Sequence, residues 1–354
     1  MSSKAAKWPN STPCWGRLPV EQYLIRYWDH ASSEPDDEQR LRLVREYIRL
    51  DRIPKDWDPT AFGEAWYEPD ANDSDPQFAP RRIPTDREVE AILRPWRSQD
   101  MRRRAWGIWC DKARGYPVML RTYYGNGEEG NGRFAEYTRV SDMYHGVADC
   151  YALDDIEMFN FGSEWRKIFD ILPEIAGCKD HQPDYDVGDM GDGAEIGQSP
   201  YYSRRPDQEI LDDDYEELKD EIENSKAEYP DWKEDPDALL EPGDTVIRSL
   251  LRAVTISWII IVDEKTFSTD ELRVVYLDMH QNITIETRLE LDQGYIDEML
   301  MRWEDGFRPL GYVMENGMVG EKYRLSNESG RRFFRLTDEL EYQADGTRHA
   351  EQEG

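Results

Sequence analysis

Residues 253–262, 272–277 and 283–291 are three segments rich in β-branched and aromatic residues, separated by short polar connections. A parallel crossover needs a dozen or more residues, so connections this short predict an antiparallel meander. The third segment alternates, with Ile283, Ile285, Leu289 and Leu291 on one face and Thr284, Glu286, Arg288 and Glu290 on the other. An apolar sheet face must be covered. Over 293–303, Tyr295, Ile296, Met299, Leu300 and Trp303 recur at helical spacing, which suits a helix to that task. Residues 312–314 and 318–325 read as a further hairpin across Glu315-Asn-Gly317, 331–336 as a last strand, and 341–354 as a flexible tail.

The N-terminal part reads differently. After Pro19, Val20, Tyr23, Leu24, Tyr27 and Trp28 form the stripe of an amphipathic helix entered through a proline. A second helix is expected over 36–50, with Leu41, Val44, Tyr47 and Ile48 inward. The stretch 51–84 holds six prolines and predicts a long connection anchored by Trp57, Phe62 and Trp66. Thr85-Asp-Arg-Glu88 is a capping-box pattern that opens a helix carrying Val89, Ile92 and Leu93; Pro95 ends or kinks it, and another helix is expected over 98–114. Residues 116–124 and 133–140 read as two strands joined by the glycine-rich 125–132, and 154–172 as helical. The expected fold class is α+β. A mainly helical N-terminal region with a β-hairpin at 116–140 fills 1–178, an acidic linker or insertion with one helix fills 179–243, and an antiparallel sheet plus helix fills 244–340. The two ordered regions are able to share one sheet.

Charge narrows the partners. Lysine and arginine number 44 against 75 acids, a formal net charge of −31. Such a field repels nucleic acid and anionic membranes over most of the surface. It is also uneven: 180–244 contains 23 acidic and 5 basic residues, whereas 81–114 contains ten basic and five acidic ones. In the basic stretch Arg102, Arg103 and Arg104 stand beside Trp106, and cations interleaved with aromatics can hold phosphates and stack on bases. A chain of this overall charge must first overcome its own field, so arginines that are solvated or paired with acids are the favoured reading there. Within the acidic stretch Leu211, Tyr215, Leu218 and Ile222 step by 4, 3 and 4, a narrow seam that docks on the chain itself or on a partner. The chain's own core is the favoured dock. The acidic segment could also mask the basic one within a single molecule.

Signatures of catalysis are few. Asp184, Asp186, Asp192 and Glu195 occupy positions 1, 3, 9 and 12 of an EF-hand-like register, but Gly188 and Asp189 break it at positions 5 and 6. A weak Ca²⁺ or Mg²⁺ site is the most this cluster would hold, a solvated acidic loop being the alternative, and no other cofactor is expected. Cys178 and His181, with His145 and Cys150, offer zinc-ligand types with one close pair only. The glycines of 125–132 fit neither a P-loop nor a dinucleotide fingerprint, and Glu128 and Glu129 would repel phosphate. His145, near Asp142 and Asp149, is the best-placed general base, with no nucleophile motif beside it. No long apolar run and no apolar leader occur, so no membrane partner is expected and the cytoplasm or nucleus is the expected compartment. These features favour a non-enzymatic binding or regulatory protein that works through protein–protein contacts, with a basic protein as the fitting partner. An enzyme with a metal or carboxylate site near 184–195 is the second reading, and a nucleic-acid binder through 81–114 the third.

Overall fold

The computed structural model describes residues 15–58, 81–111, 117–142, 152–177, 201–204, 208–232, 234–240, 245–290 and 317–336. The expected helix at 293–303, strand at 312–314 and tail at 341–354 lie outside the described residues. In chain order the strands are β1 (Arg52–Pro54), β2 (Val118–Arg121), β3 (Ala152–Leu153), β4 (Tyr201–Ser203), β5 (Ser257–Val262), β6 (Glu271–Leu277), β7 (Ile283–Glu290) and β8 (Met318–Val319). β1 and β4 pair as a separate antiparallel ribbon; the others form one sheet in the order β3-β2-β5-β6-β7-β8. β3, β2 and β5 run parallel, and every pair from β5 outward is antiparallel. The fold is α+β, and strands of the N-terminal half extend the C-terminal meander.

The main helices are α1 (Pro19–Tyr27), α2 (Asp36–Ile48), α3 (Gln99–Asp111), α4 (Gly127–Asp142), α5 (Gln208–Glu228), α6 (Thr245–Val254), α7 (Glu264–Thr269) and α8 (Glu328–Phe333). They cover both faces of the sheet. Val118, Leu120, Ile259, Ile261, Val275 and Leu277 meet residues of α1, α2, α3 and 159–176 in one core. The intervening Met119, Trp258, Ile260, Val262, Val274 and Tyr276 meet α4, α5, α6 and 323–336 in the other. Strand β5 is therefore buried at all six positions, which explains its continuous apolar run. Each such side chain contributes about 1.5–3 kcal/mol on burial. Cross-strand partners Trp258 and Tyr276 stack with ring centroids 5.7 Å apart, pinning the β5–β6 register.

Local signals in the N-terminal part hold. The Thr85 side chain accepts from the Glu88 amide while Glu88 Oε2 accepts from the Thr85 amide at 2.8 Å, so both halves of the capping box form. The helical turn Asp86–Glu88 runs on as a π-helix, Val89–Leu93, and stops ahead of Pro95.

Five expectations need correction. Of the strand expected over 318–325 only β8 forms, and Glu321–Tyr323 is a 3-10 turn. The hairpin at 116–140 does not form: its first strand is β2, between two parallel neighbours, and its second is the helix α4. Phe134 and Tyr137 are three residues apart, and both are buried in the same core as Phe267. A strand would send them to opposite faces, whereas a helix puts them on one. The stretch 154–172 is not one helix but Ile156–Phe159, a 3-10 segment Gly162–Lys167, and Ile168–Ile171. The break falls at Gly162, whose φ is +54° and whose amide donates to the Thr122 carbonyl. Residues 331–336 are no strand. They complete and follow α8, where the Arg331 guanidinium donates to the Leu325 and Ser326 carbonyls and Arg335 takes a φ of +57°. Finally, β7 does not alternate evenly. Tyr276 pairs with Ile285 and Leu277 with Ile283, a bulge at Thr284 that sends Ile283 and Ile285 into different cores.

Candidate functional site

The basic stretch turns inward. Arg102 is wholly buried, and its Nε and Nη2 donate to Glu21 at 2.5 and 3.1 Å. Glu21 lies in the first turn of α1 and also accepts from the amides of Gly16, Arg17 and Leu18 at 2.7, 3.1 and 3.4 Å. Beside this pair Arg97 forms a two-pronged bridge to Glu174 at 2.8 and 3.0 Å, and its Nη2 stands 3.8 Å from Glu21. All four side chains are fully enclosed. The Arg102 guanidinium also lies over the Trp15 ring, and that of Arg97 over Trp96. A closed quartet like this fastens α1 and α3 to the 173–175 turn.

Arg103 and Arg104 both bridge to Asp100, and Arg104 Nη1 donates to the Ala152 carbonyl at 2.9 Å. Burial works to raise the Asp100 carboxyl, but the bonds from Arg104 and Arg103 outweigh it and hold it below its ordinary range. Trp106 is partly buried against the core that contains α3. Arg82 is bonded to Glu88 and Arg94 to Glu90. The bond from Arg82 takes Glu88 from 4.5 to about 2, against an opposing effect of burial.

The acidic helix α5 is seated by its seam. Leu218 and Ile222 are buried in the core beside Leu250 and Leu251 of α6. The Tyr215 hydroxyl donates to the Phe333 carbonyl at 2.5 Å, and its ring meets that of Phe333 edge-on. The backbone of Leu211 belongs to the same helix. On the outer side Asp220, Glu223 and Glu228 are exposed, and Asp231, Glu234 and Asp235 extend the acidic strip past the helix end. Lys226 bonds to Glu223 at 2.7 Å and lies over the Trp232 ring, so it is spent locally.

A further charged cluster escapes sequence reading. Asp278, in the β6–β7 turn, is nearly fully buried and accepts from Lys322 Nζ at 2.6 Å and the Tyr323 hydroxyl at 2.7 Å. It also accepts from the amides of His280 and Asn282. Burial pushes this carboxyl up, and the bonds from Lys322, Asn282 and Tyr323 outweigh it, leaving it depressed. Turn chemistry, an Asp followed by an Asn four residues later, was its only local signal.

Asp184, Asp186, Asp192, Glu195, His145, Cys150, Cys178 and His181 lie outside the described residues. Among the described residues no group of three or more His, Cys, Asp or Glu is arranged to hold a metal ion. No described helix is long and apolar enough to cross a membrane. No family model, no curated protein and no solved structure matches the chain.

Proposed function

We propose that this chain is a non-enzymatic binding or regulatory protein that meets a basic protein partner on the outer face of α5 and the acidic turn that follows it. The observation that carries the reading is the seating of α5. Leu218 and Ile222 of its apolar seam are taken up by the chain's own core, so Asp220, Glu223 and Glu228 are held outward on an ordered element. An ordered acidic strip steers and aligns a cationic partner without first having to fold. Arg82, Arg94, Arg97, Arg102, Arg103 and Arg104, of opposite sign, are engaged with neighbouring carboxylates, which leaves much of the strip's field uncancelled.

Affinity capture from cell extract followed by cross-linking and mass spectrometry tests this reading. Captured proteins should be basic, cross-link to 208–235, and be lost with the variant Asp220→Asn/Glu223→Gln/Glu228→Gln and at high salt. Partners that cross-link elsewhere, or that bind the variant equally well, would overturn it.

A further inference from the structure

The carboxyl ends of β2 and β3 part company. The chain leaving β2 enters α4, which packs with Met119 and Trp258 on one face; the chain leaving β3 enters 156–175, which packs with Leu120 and Ile259 on the other. Neighbouring parallel strands whose connections leave to opposite faces open a crevice at their carboxyl ends, where α/β sheets bind ligands. Arg121 closes β2 at that point and is fully buried. Its Nε donates to the Tyr123 carbonyl at 3.0 Å, and its Nη1 to Asn131 Oδ1 at 2.8 Å and Asp154 Oδ1 at 3.2 Å.

The third nitrogen is different. Among the described residues Arg121 Nη2 has no hydrogen-bond partner, nor has the adjacent buried Thr122 Oγ1. Nη2 points at the first turn of α4: a Cβ added to Gly130 would sit 3.0 Å from it and 2.9 Å from the Asn126 Cβ. Any side chain at 130 would thus crowd the buried cation against the start of a sixteen-residue helix. The first amides of an α-helix have no intrahelical acceptor and carry the positive end of its dipole. Leaving a charged donor unsatisfied in such a place costs stability, and an anion would recover it. Tyr124, Phe267 and Phe134 surround the guanidinium at 4.4, 5.4 and 5.6 Å, which gives the site aromatic walls.

We propose that this crevice binds the carboxylate of a small organic acid between Arg121 Nη2 and the first turn of α4. Asp154 already accepts from the same guanidinium, and Glu128 and Glu129 stand exposed on that turn, so a monoanion is tolerated where a phosphate dianion is repelled. The aromatic walls suit an apolar body behind the carboxylate.

The test is an amide NMR titration of the full chain, isotopically labelled at glycine, with benzoate and separately with inorganic phosphate at matched ionic strength. Saturable shifts of Gly127 and Gly130 with benzoate at millimolar concentration are expected, with phosphate giving none. The Gly130→Ala variant should weaken benzoate by about tenfold or more. Absence of saturable shifts at those glycines, saturation by phosphate alone, or unchanged affinity in the variant would each overturn the proposal. Should Gly130→Ala fail to fold, the titration of the unmodified chain decides alone.

Discussion

Replacing Glu21 with alanine takes from buried Arg102 the carboxylate that accepts from its Nε and Nη2. The lost carboxylate accepts two guanidinium bonds and three backbone amide bonds in a fully enclosed site. Removing one member of a buried ion pair costs about 3–5 kcal/mol, because the remaining charge stays buried after losing that carboxylate. The orphaned Gly16 amide adds about 1–3 kcal/mol. Glu21→Ala is therefore expected to lower the unfolding free energy by at least about 4 kcal/mol, read as a fall in the urea midpoint at unchanged slope. The double variant Glu21→Leu/Arg102→Met removes both charges and fills the volume, so it should be markedly more stable than Glu21→Ala alone. Exposed pairs contribute only about 0–1 kcal/mol. A Glu21→Ala loss within that range, or a double variant no better than the single, would refute the assignment of this quartet as an enclosed clasp.

Two further outcomes follow from the geometry. Leu218→Ala should cost about 2–5 kcal/mol in thermal or urea unfolding of the isolated chain, since the side chain is packed in the core; a seam reserved for a partner would show almost no loss. Glu88 has a folded pKa depressed to about 2 from 4.5, so its contribution is complete above the ordinary carboxylate range and is lost as pH falls through about 2. Unfolding curves between these limits should accordingly show a smaller acid-induced decline for Glu88→Gln than for the unmodified chain, and superimposable declines would contradict the Arg82–Glu88 bond.

Legibility in the sequence followed the range of the forces involved. Helix α1, helix α2 and the Thr85 capping box were readable because each is set by residues within one or two turns. The meander at 257–290 was readable because its connections are short. Residues 116–140 were misread because a glycine-rich stretch bounded by apolar residues suits a hairpin loop as well as the approach to a helix. The deciding contact, Phe134 and Tyr137 against Phe267, spans about 130 residues and has no local signature. The partners of the basic stretch were hidden for the same reason: nothing near Arg97 or Arg102 announces Glu174 or Glu21. Among the residues proposed for binding, Arg102, Leu218 and Ile222 are interior, while Arg103 is exposed and paired with Asp100. Arg121 escaped because its unpartnered nitrogen is a property of packing alone.

The parallel pairing of β2 with β5 also sets the order in which the chain can fold. Val118 meets Ile259, about 140 residues further on, so this part of the sheet has high contact order and is expected to form slowly. During synthesis β2 leaves the ribosome long before β5 is made, and its Met119 and Leu120 backbone groups have no neighbour on that side until then. A nascent chain at this stage carries an apolar strand edge open to mispairing with other chains. Translation speed across 122–256 and access to holding chaperones therefore bear on how much of the chain reaches this pairing.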